Sequence, residues 1–341
     1  MTLEAGYIDF HVHVGERIAG IQLRDDFKAL NKLTERDPDP ENPPLAGIGV
    51  FVTESPEESL EQKLELMQKQ ARQDFNGLVQ WHLTPITANL EEIYPILKEG
   101  NDLKFYTTYR QAGLYRSYEE IGRWMKDLKE LKTRILVHCE DDNTISQYSE
   151  QHPFRHPHDH CLRRPELAET RAVERILDLA VQHQHPVHIV HVSSPASAQL
   201  IKEARQHYQG ITCETAPHYL LQNEDSLKTP DAHRSICTPP FRSERSRGML
   251  VEHLQDGVFD ILASDHCAFT DADKDRFQDE LEKVPNGIPG VKTLFTSVYR
   301  GLVQTGKLSL EALQRMTMLN PRFLMSAYPK GFSDRPGGSG Q

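Results

Sequence analysis

Short, almost continuously apolar runs alternate along the chain with longer segments whose apolar positions recur every three or four residues. The first run, Tyr7-Ile8-Asp9-Phe10-His11-Val12-His13, is followed by others at 47–53, 78–85, 102–109, 134–140, 186–193, 210–216 and 259–265. Runs of that length and uniformity predict strands covered on both faces, as in a parallel sheet. Helical spacing between them predicts helices at 90–98, 118–131, 165–183, 196–208 and 243–256. Ser55-Pro56-Glu57-Glu58 combines an N-cap serine, an early proline and a glutamate three residues on, which predicts a capping-box helix start there. Leu60, Leu64, Met67 and Ala71 then form its core-facing stripe.

Eight strands alternating with helices predict an α/β fold of the closed (β/α)8 TIM-barrel type, with functional groups at the C-terminal ends of the strands. One barrel unit is expected over 1–331, with further helices at 291–305 and 309–318. The polar segment 37–44 is expected to be a loop covering a strand end. The Gly/Ser-rich 332–341 is expected to be a flexible tail.

Composition narrows the partners. A formal charge of −11 leaves no basic stripe to neutralise phosphates, which argues against nucleic acid or an anionic membrane surface as partner. The five cysteines are scattered, with no C-x-x-C spacing, so a reduced, cytoplasmic protein is expected rather than a disulfide framework or a zinc knuckle. The start Met1-Thr2-Leu3-Glu4 has no basic signal region, and no apolar run approaches the ~18 residues of a membrane span.

Polar residues interrupt the apolar strands at telling places. His11 and His13 are two apart and share a strand face. Lys104 lies on strand four, His138 on five, His191 on six and Asp265 on eight. Taken singly, Lys104 could snorkel or pair with an acid, His138 and His191 could be satisfied core histidines, and Asp265-His266 could cap a turn. Occurring together near the same end of their strands, they form a plausible ligand set for a divalent metal such as zinc. His82 and His188 lack a matching set, and His188 is expected to pack. The His152, His156, His158, His160 and Asp159 cluster is weaker still as a metal or lid element.

These residues sit in segments that resemble the cyclic-amidohydrolase branch of the amidohydrolase superfamily, which includes dihydroorotases, dihydropyrimidinases or hydantoinases, and allantoinases. The resemblance spans about 7–331. It is carried by Ile8-Asp9-Phe10-His11-Val12-His13, Leu103-Lys104-Phe105-Tyr106, Val137-His138-Cys139-Glu140, Ile189-Val190-His191-Val192-Ser193 and Cys213-Glu214-Thr215-Ala216-Pro217-His218. Thr238-Pro239-Pro240-Phe241-Arg242, Ala263-Ser264-Asp265-His266-Cys267, Pro285-Asn286-Gly287 and Asn320-Pro321-Arg322 continue it.

The resemblance implies metal-dependent hydrolysis of a cyclic amide by a metal-bound hydroxide, with Asp265 as general acid and base. It implies two divalent ions, zinc by analogy, one held by His11, His13 and Asp265 and the other by His138 and His191. A CO2-derived carbamate on Lys104 would bridge them. Tyr109 would donate to the oxyanion, and Thr238 and Asn286 would bind the ring, the asparagine through backbone groups. His266 would orient Asp265. A place in pyrimidine metabolism and a homo-oligomer, dimer or tetramer, are also implied. Two departures weaken a dihydroorotase reading: Gly15 stands where an arginine is expected, with Arg17 as a possible substitute, and Val52-Thr53-Glu54-Ser55 replaces an asparagine-bearing turn. Many relatives carry a β-sandwich built from both chain ends, so a barrel-only or shortened form is expected here. The alternatives are a catalytically silent barrel serving as a structural or regulatory partner, and a linear-amide or isoaspartyl-peptide hydrolase.

Overall fold

The computed structural model describes residues 6–35, 39, 41–131 and 133–326. Eight apolar runs become parallel strands in one sheet: β1 Tyr7–His13, β2 Leu45–Thr53, β3 Leu78–Thr84, β4 Asp102–Tyr106, β5 Ile135–His138, β6 Val187–Ile189, β7 Ile211–Thr215 and β8 Ile261–Leu262. A ninth short strand, β9 His266–Cys267, pairs with β1, whereas β8 pairs with β7. Only residues 263–265 separate β8 from β9, so the sheet curls round until its two ends are one chain segment. The predicted eighth strand is therefore split. Asp265, with φ of 54°, is the break, because a left-handed residue cannot continue a strand ladder.

Helices cover the outside: α1 Phe27–Asn31, α2 Leu60–Asp74, α3 Leu90–Leu97, α4 Tyr118–Asp127, α5 Glu166–His183, α6 Pro195–Ala204 and α7 Glu244–Gln255. The stripe Leu60, Leu64, Met67 and Ala71 is buried, as its spacing requires. The start of α2 differs from expectation. Ser59, not Ser55, is the N-cap, and Ser59 with Gln62 closes the capping box. Ser55 and Glu58 instead form an isolated bridge across a turn. Ser59 places Leu60 in the first turn, in phase with the stripe, and Ser55 would not.

Below the site Phe10, Phe51, Leu136, Val190, Ile261 and Ala263 form an apolar cluster inside the barrel. Gly49 is required here, since a Cβ on it would lie 2.3 Å from Phe10 O and 2.5 Å from His82 Nε2. Leu324, from α8 Asn320–Ser326, caps this cluster. Arg134 anchors α8 by donating to Leu324 O at 3.2 Å, and Asn320 Nδ2 donates to Asp260 O at 2.7 Å. The helix expected to end at Met318 thus continues into α8 through a widened turn over Arg315–Leu319. A wide turn before Pro321 accommodates the amide hydrogen that proline lacks.

The described part of the expected loop 37–44, residues 39 and 41–44, does not lead over a catalytic strand end. Tyr7 N–H donates to Pro44 O at 2.9 Å, which puts the segment beside the beginnings of β1 and β2. A loop feeding the start of a parallel strand must lie at that end. Residues 36–38 and 40 lie outside the described set, as do 327–331 of the expected barrel unit and the expected tail 332–341. Among the described residues, no helix is long and apolar enough to cross a membrane.

Candidate metal centre

His11, His13 and Asp265 offer ligand atoms that all lie within 4.8 Å of one another. β1 delivers both histidines to one face, and the kink at Asp265 turns its carboxylate back toward them. His11 Nε2 is 3.1 Å from Asp265 Oδ1. Across the barrel, His138 Nδ1 is 2.8 Å from His191 Nε2. The two histidine groups adjoin, with the His11 and His191 ring centroids 5.4 Å apart. Lys104, fully buried on β4, has its Nζ 4.9 Å from the centre of the Phe51 ring and forms no hydrogen bond among the described residues.

Each of three histidines is gripped from behind by a glutamate. His11 Nδ1 donates to Glu214, which also lies 3.1 Å from His188 Nε2 and accepts the His191 N–H at 3.3 Å. His138 Nε2 donates to Glu140 at 2.7 Å, and Arg164 pairs with the same carboxylate at 2.7 Å. His13 Nδ1 is 3.3 Å from Glu16. A carboxylate that takes one ring N–H fixes the tautomer and leaves the other nitrogen bare and aimed at the centre. His11 Nε2 then faces the Asp265 carboxyl, and His138 Nδ1 faces His191 Nε2, whose ring no carboxylate holds among the described residues. A proton or a cation has to stand between each such pair, so the residues fit divalent metal binding.

Electrostatics agree with that fit. Burial lowers His11 to about 3 and His138 to about 4, leaving neutral imidazoles, the form that ligates metal. Burial pulls the Lys104 amine down to about 8 against the opposing charges of Glu214 and Asp265. Burial raises the Asp265 carboxyl well above the carboxylate range, with Lys104 acting against it. Burial likewise pushes the Tyr109 phenol above its usual value, so it stays a proton donor.

Strain is concentrated at the same place. Among the described residues five non-glycines have positive φ, and Tyr109, His191 and Asp265 are three of them. Such conformations cost ~1–3 kcal/mol each and persist where the surroundings over-determine them.

The remaining expected site residues divide. Tyr109 lies 5.2 Å, centroid to centroid, from His138 and hydrogen-bonds Thr238. Thr238 is buried, 3.2 Å from His160 Nε2. Asn286 is half-buried beside β9, its carbonyl facing the Cys267 thiol. Arg17 is exposed on a hairpin that pairs Arg17–Ile18 with Ile21–Gln22. His266 does not touch Asp265: its Nε2 is 3.1 Å from Asp25 and its Nδ1 accepts Gly290 N–H at 3.1 Å, because β9 turns its ring outward from the kink. His188 is more than packing, since it shares Glu214 with His11. His82 is also partnered, by Asp102 at 3.0 Å and Phe10 O at 3.2 Å. Of the histidine cluster, only His160 reaches the site, and the cluster forms no metal group among the described residues.

The buried neutral histidines make a pH prediction for metal-free protein. His185, remote from the centre and bonded to Thr133 O, is lowered to about 4 by burial, against 6.5 for a free ring. Below pH 6.5 the unfolded chain binds a proton that the folded ring refuses, so stability is complete above 6.5 and falls as pH drops toward 4. His11, His138, His160 and His218 act in the same direction. Asp9, pushed up to about 7 by burial, opposes them over pH 7 to 4. The urea midpoint is expected to fall between pH 7 and pH 5, with His185 alone contributing on the order of 2 kcal/mol. A His185→Gln variant should show a shallower fall, and an unchanged slope would contradict this assignment.

A parallel barrel with histidines and a carboxylate converging at its strand ends presents a donor set that could hold a metal ion. By sequence and fold the chain is similar to hydantoinases and dihydropyrimidinases. It is 31% identical over 272 residues to D-phenylhydantoinases of Escherichia coli strains, an alignment covering 78% of this chain and 58% of the relative. The chain thus spans under two thirds of the length of these relatives. Among solved structures, dihydropyrimidinase from Brevibacillus agri NCHU1002 matches with a TM-score of 0.86 and 27% identity over 95% of this chain and 71% of that one. D-hydantoinase from Bacillus sp. AR9 matches with a TM-score of 0.83 and 26% identity, covering 92% and 69%. No protein-family model matches the chain.

Proposed function

We propose that this chain hydrolyses the ring amide of a cyclic ureide or imide of the hydantoin or dihydropyrimidine type. The reading is carried by one observation: the bare ring nitrogens of His11 and His138 converge with His191 and Asp265 next to a buried lysine amine that has no hydrogen-bond partner among the described residues. In this reading His11, His13 and Asp265 hold one divalent ion, His138 and His191 a second, zinc being the ion that suits these donors. The Lys104 amine, brought down to about 8, is accessible in the neutral form that adds CO2, and as a carbamate it would change from an unpaired cation into an anionic bridge. When bound, the two ions would bring the pKa of a water to roughly 7 and polarise the ring carbonyl.

The chain's own groups do the rest. Asp265 accepts the proton from the attacking water and returns it to the departing ring nitrogen. Tyr109, held by Thr238 and kept protonated by burial, donates to the carbonyl oxygen as charge develops there. Thr238 and the backbone around Asn286 hold the ring edge. A silent barrel would have no use for three glutamates orienting three histidines, and that favours the enzyme. All five cysteines are free and buried, which suits a reducing compartment such as the cytoplasm.

A ring panel tests the proposal. Zinc-loaded protein is expected to open hydantoin and dihydrouracil, with dihydroorotate slower. Arg17 is exposed on its hairpin, Gly15 carries no side chain, and Glu54 is an anion bonded to the Ile86, Thr87 and Ala88 amides, so neither stretch expected to read a substrate carboxylate turns a cation toward the site. Cleavage of an isoaspartyl dipeptide without any ring opening would overturn the cyclic reading.

A further inference from the structure

Lys274 is buried, 4% exposed, at the end of the segment that follows β9. Burying an ammonium is costly, and such groups are normally paired with a carboxylate. Among the described ion pairs none includes Lys274. Its Nζ instead donates to three backbone carbonyls: Arg234 O at 2.9 Å, Ile236 O at 3.1 Å and Gly287 O at 2.5 Å. Three donors meet three acceptors, so the ammonium is fully used and its direction is fixed.

Those carbonyls belong to two separate stretches. Ile236 stands two residues before Thr238, and Gly287 directly follows Asn286. The stretches also touch directly, with Gly287 N–H donating to Ile236 O at 3.0 Å. The Asn286 turn is pressed onto β9 as well: Cys267 N–H donates to Ile288 O at 3.1 Å, and a Cβ on Gly287, at φ of 142°, would fall 2.6 Å from Cys267 O. Loops carry no ladder of their own, and a single cation bonded to both fixes their separation.

We propose that Lys274 is a positioning residue for substrate recognition, its buried ammonium clamping the Asn286 turn to the segment that leads into Thr238 and so setting the spacing of the two groups that grip the ring. This rests on the hydrolase reading above. Lys274 touches no metal-site residue, so its loss should loosen ring binding and leave the metals and the chemical step in place.

The test compares wild type, Lys274→Met and Lys274→Arg as zinc-loaded full-length protein, measuring metal content, circular dichroism, kcat and KM for hydantoin and dihydrouracil. Lys274→Met keeps the length and removes the donors. It is expected to raise KM at least about tenfold with kcat within about threefold and zinc content equal to wild type. Lys274→Arg, which keeps the charge but not the three-carbonyl geometry, should raise KM as well. An unmoved KM in a folded variant, or a fall in kcat and zinc content with KM unchanged, overturns the proposal. If Lys274→Met does not fold, Lys274→Arg decides. Loss of the fold in both variants assigns the lysine to folding and overturns the proposal too. Wild type that opens no ring sinks the hydrolase reading and this proposal with it, whereas wild-type turnover with unchanged KM in the variants sinks this proposal alone.

Discussion

Asp265→Asn should lower kcat for ring opening by at least ~10³-fold while the protein stays folded, since a positioned proton-transfer group alone is worth ~10²–10⁴. The substitution keeps the size of the side chain and tolerates the left-handed backbone, because asparagine adopts positive φ at least as readily as aspartate. It removes the carboxylate that faces His11 Nε2 at 3.1 Å and with it the group able to shuttle a proton between water and ring nitrogen. Circular dichroism and the thermal midpoint should stay close to wild type, since Asp265 is partly exposed and the closure of the sheet rests on β9 and Ser264 rather than on this side chain. Retention of most of the turnover would show that another group carries the proton.

Lys104→Met should be as damaging, through the metals rather than the proton. The lysine packs against the Phe51 and Tyr106 rings and has no hydrogen-bond partner among the described residues, so methionine fills its volume without breaking a hydrogen bond, and the fold should be maintained although Glu214 and Asp265 lose a nearby cation. A structural lysine would therefore be replaceable. A lysine that carries an anionic bridge is not: zinc content should fall below two per chain and ring opening by ~10³-fold or more, the scale at which a missing metal nucleophile is felt. Elemental analysis of the dialysed variant beside wild type reads the first effect, and a rate assay with excess zinc reads the second. Full zinc content and activity in Lys104→Met would remove the lysine from the centre.

The strands were legible because parallel strands buried on both faces are written as apolar runs, and β1 emerges with the bounds its sequence shows. The ligands were legible for the same reason, since a histidine, lysine or aspartate in such a run stands out. What was hidden depends on contacts between distant parts of the chain. Glu214 meets His11 across 203 residues of sequence, and nothing local says that a glutamate on β7 faces a histidine on β1. Its only signal is a carboxylate inside an apolar strand, the same signal that marked Lys104. Glu140, only two residues after His138, was the more readable case. The split of strand eight was hidden because the left-handed turn at Asp265 is imposed by Asp9 holding Ser264 and by β9 docking on β1. Helix starts failed for a different reason: Ser55 and Ser59 both satisfy a capping pattern, and only packing of Leu60 chooses between them. Adjacency in sequence suggests that His266 orients Asp265, but the left-handed backbone at Asp265 separates the two side chains and His266 faces Asp25.

The central claim is a centre built for two divalent ions. Metal-stripped protein titrated with zinc under CO2-equilibrated buffer, followed by dialysis and elemental analysis, measures it most directly, with hydantoin turnover recorded at each step. The account predicts about two zinc ions per chain and turnover that rises with their occupancy. Protein that retains no zinc, or that opens the ring equally well when stripped, would contradict it.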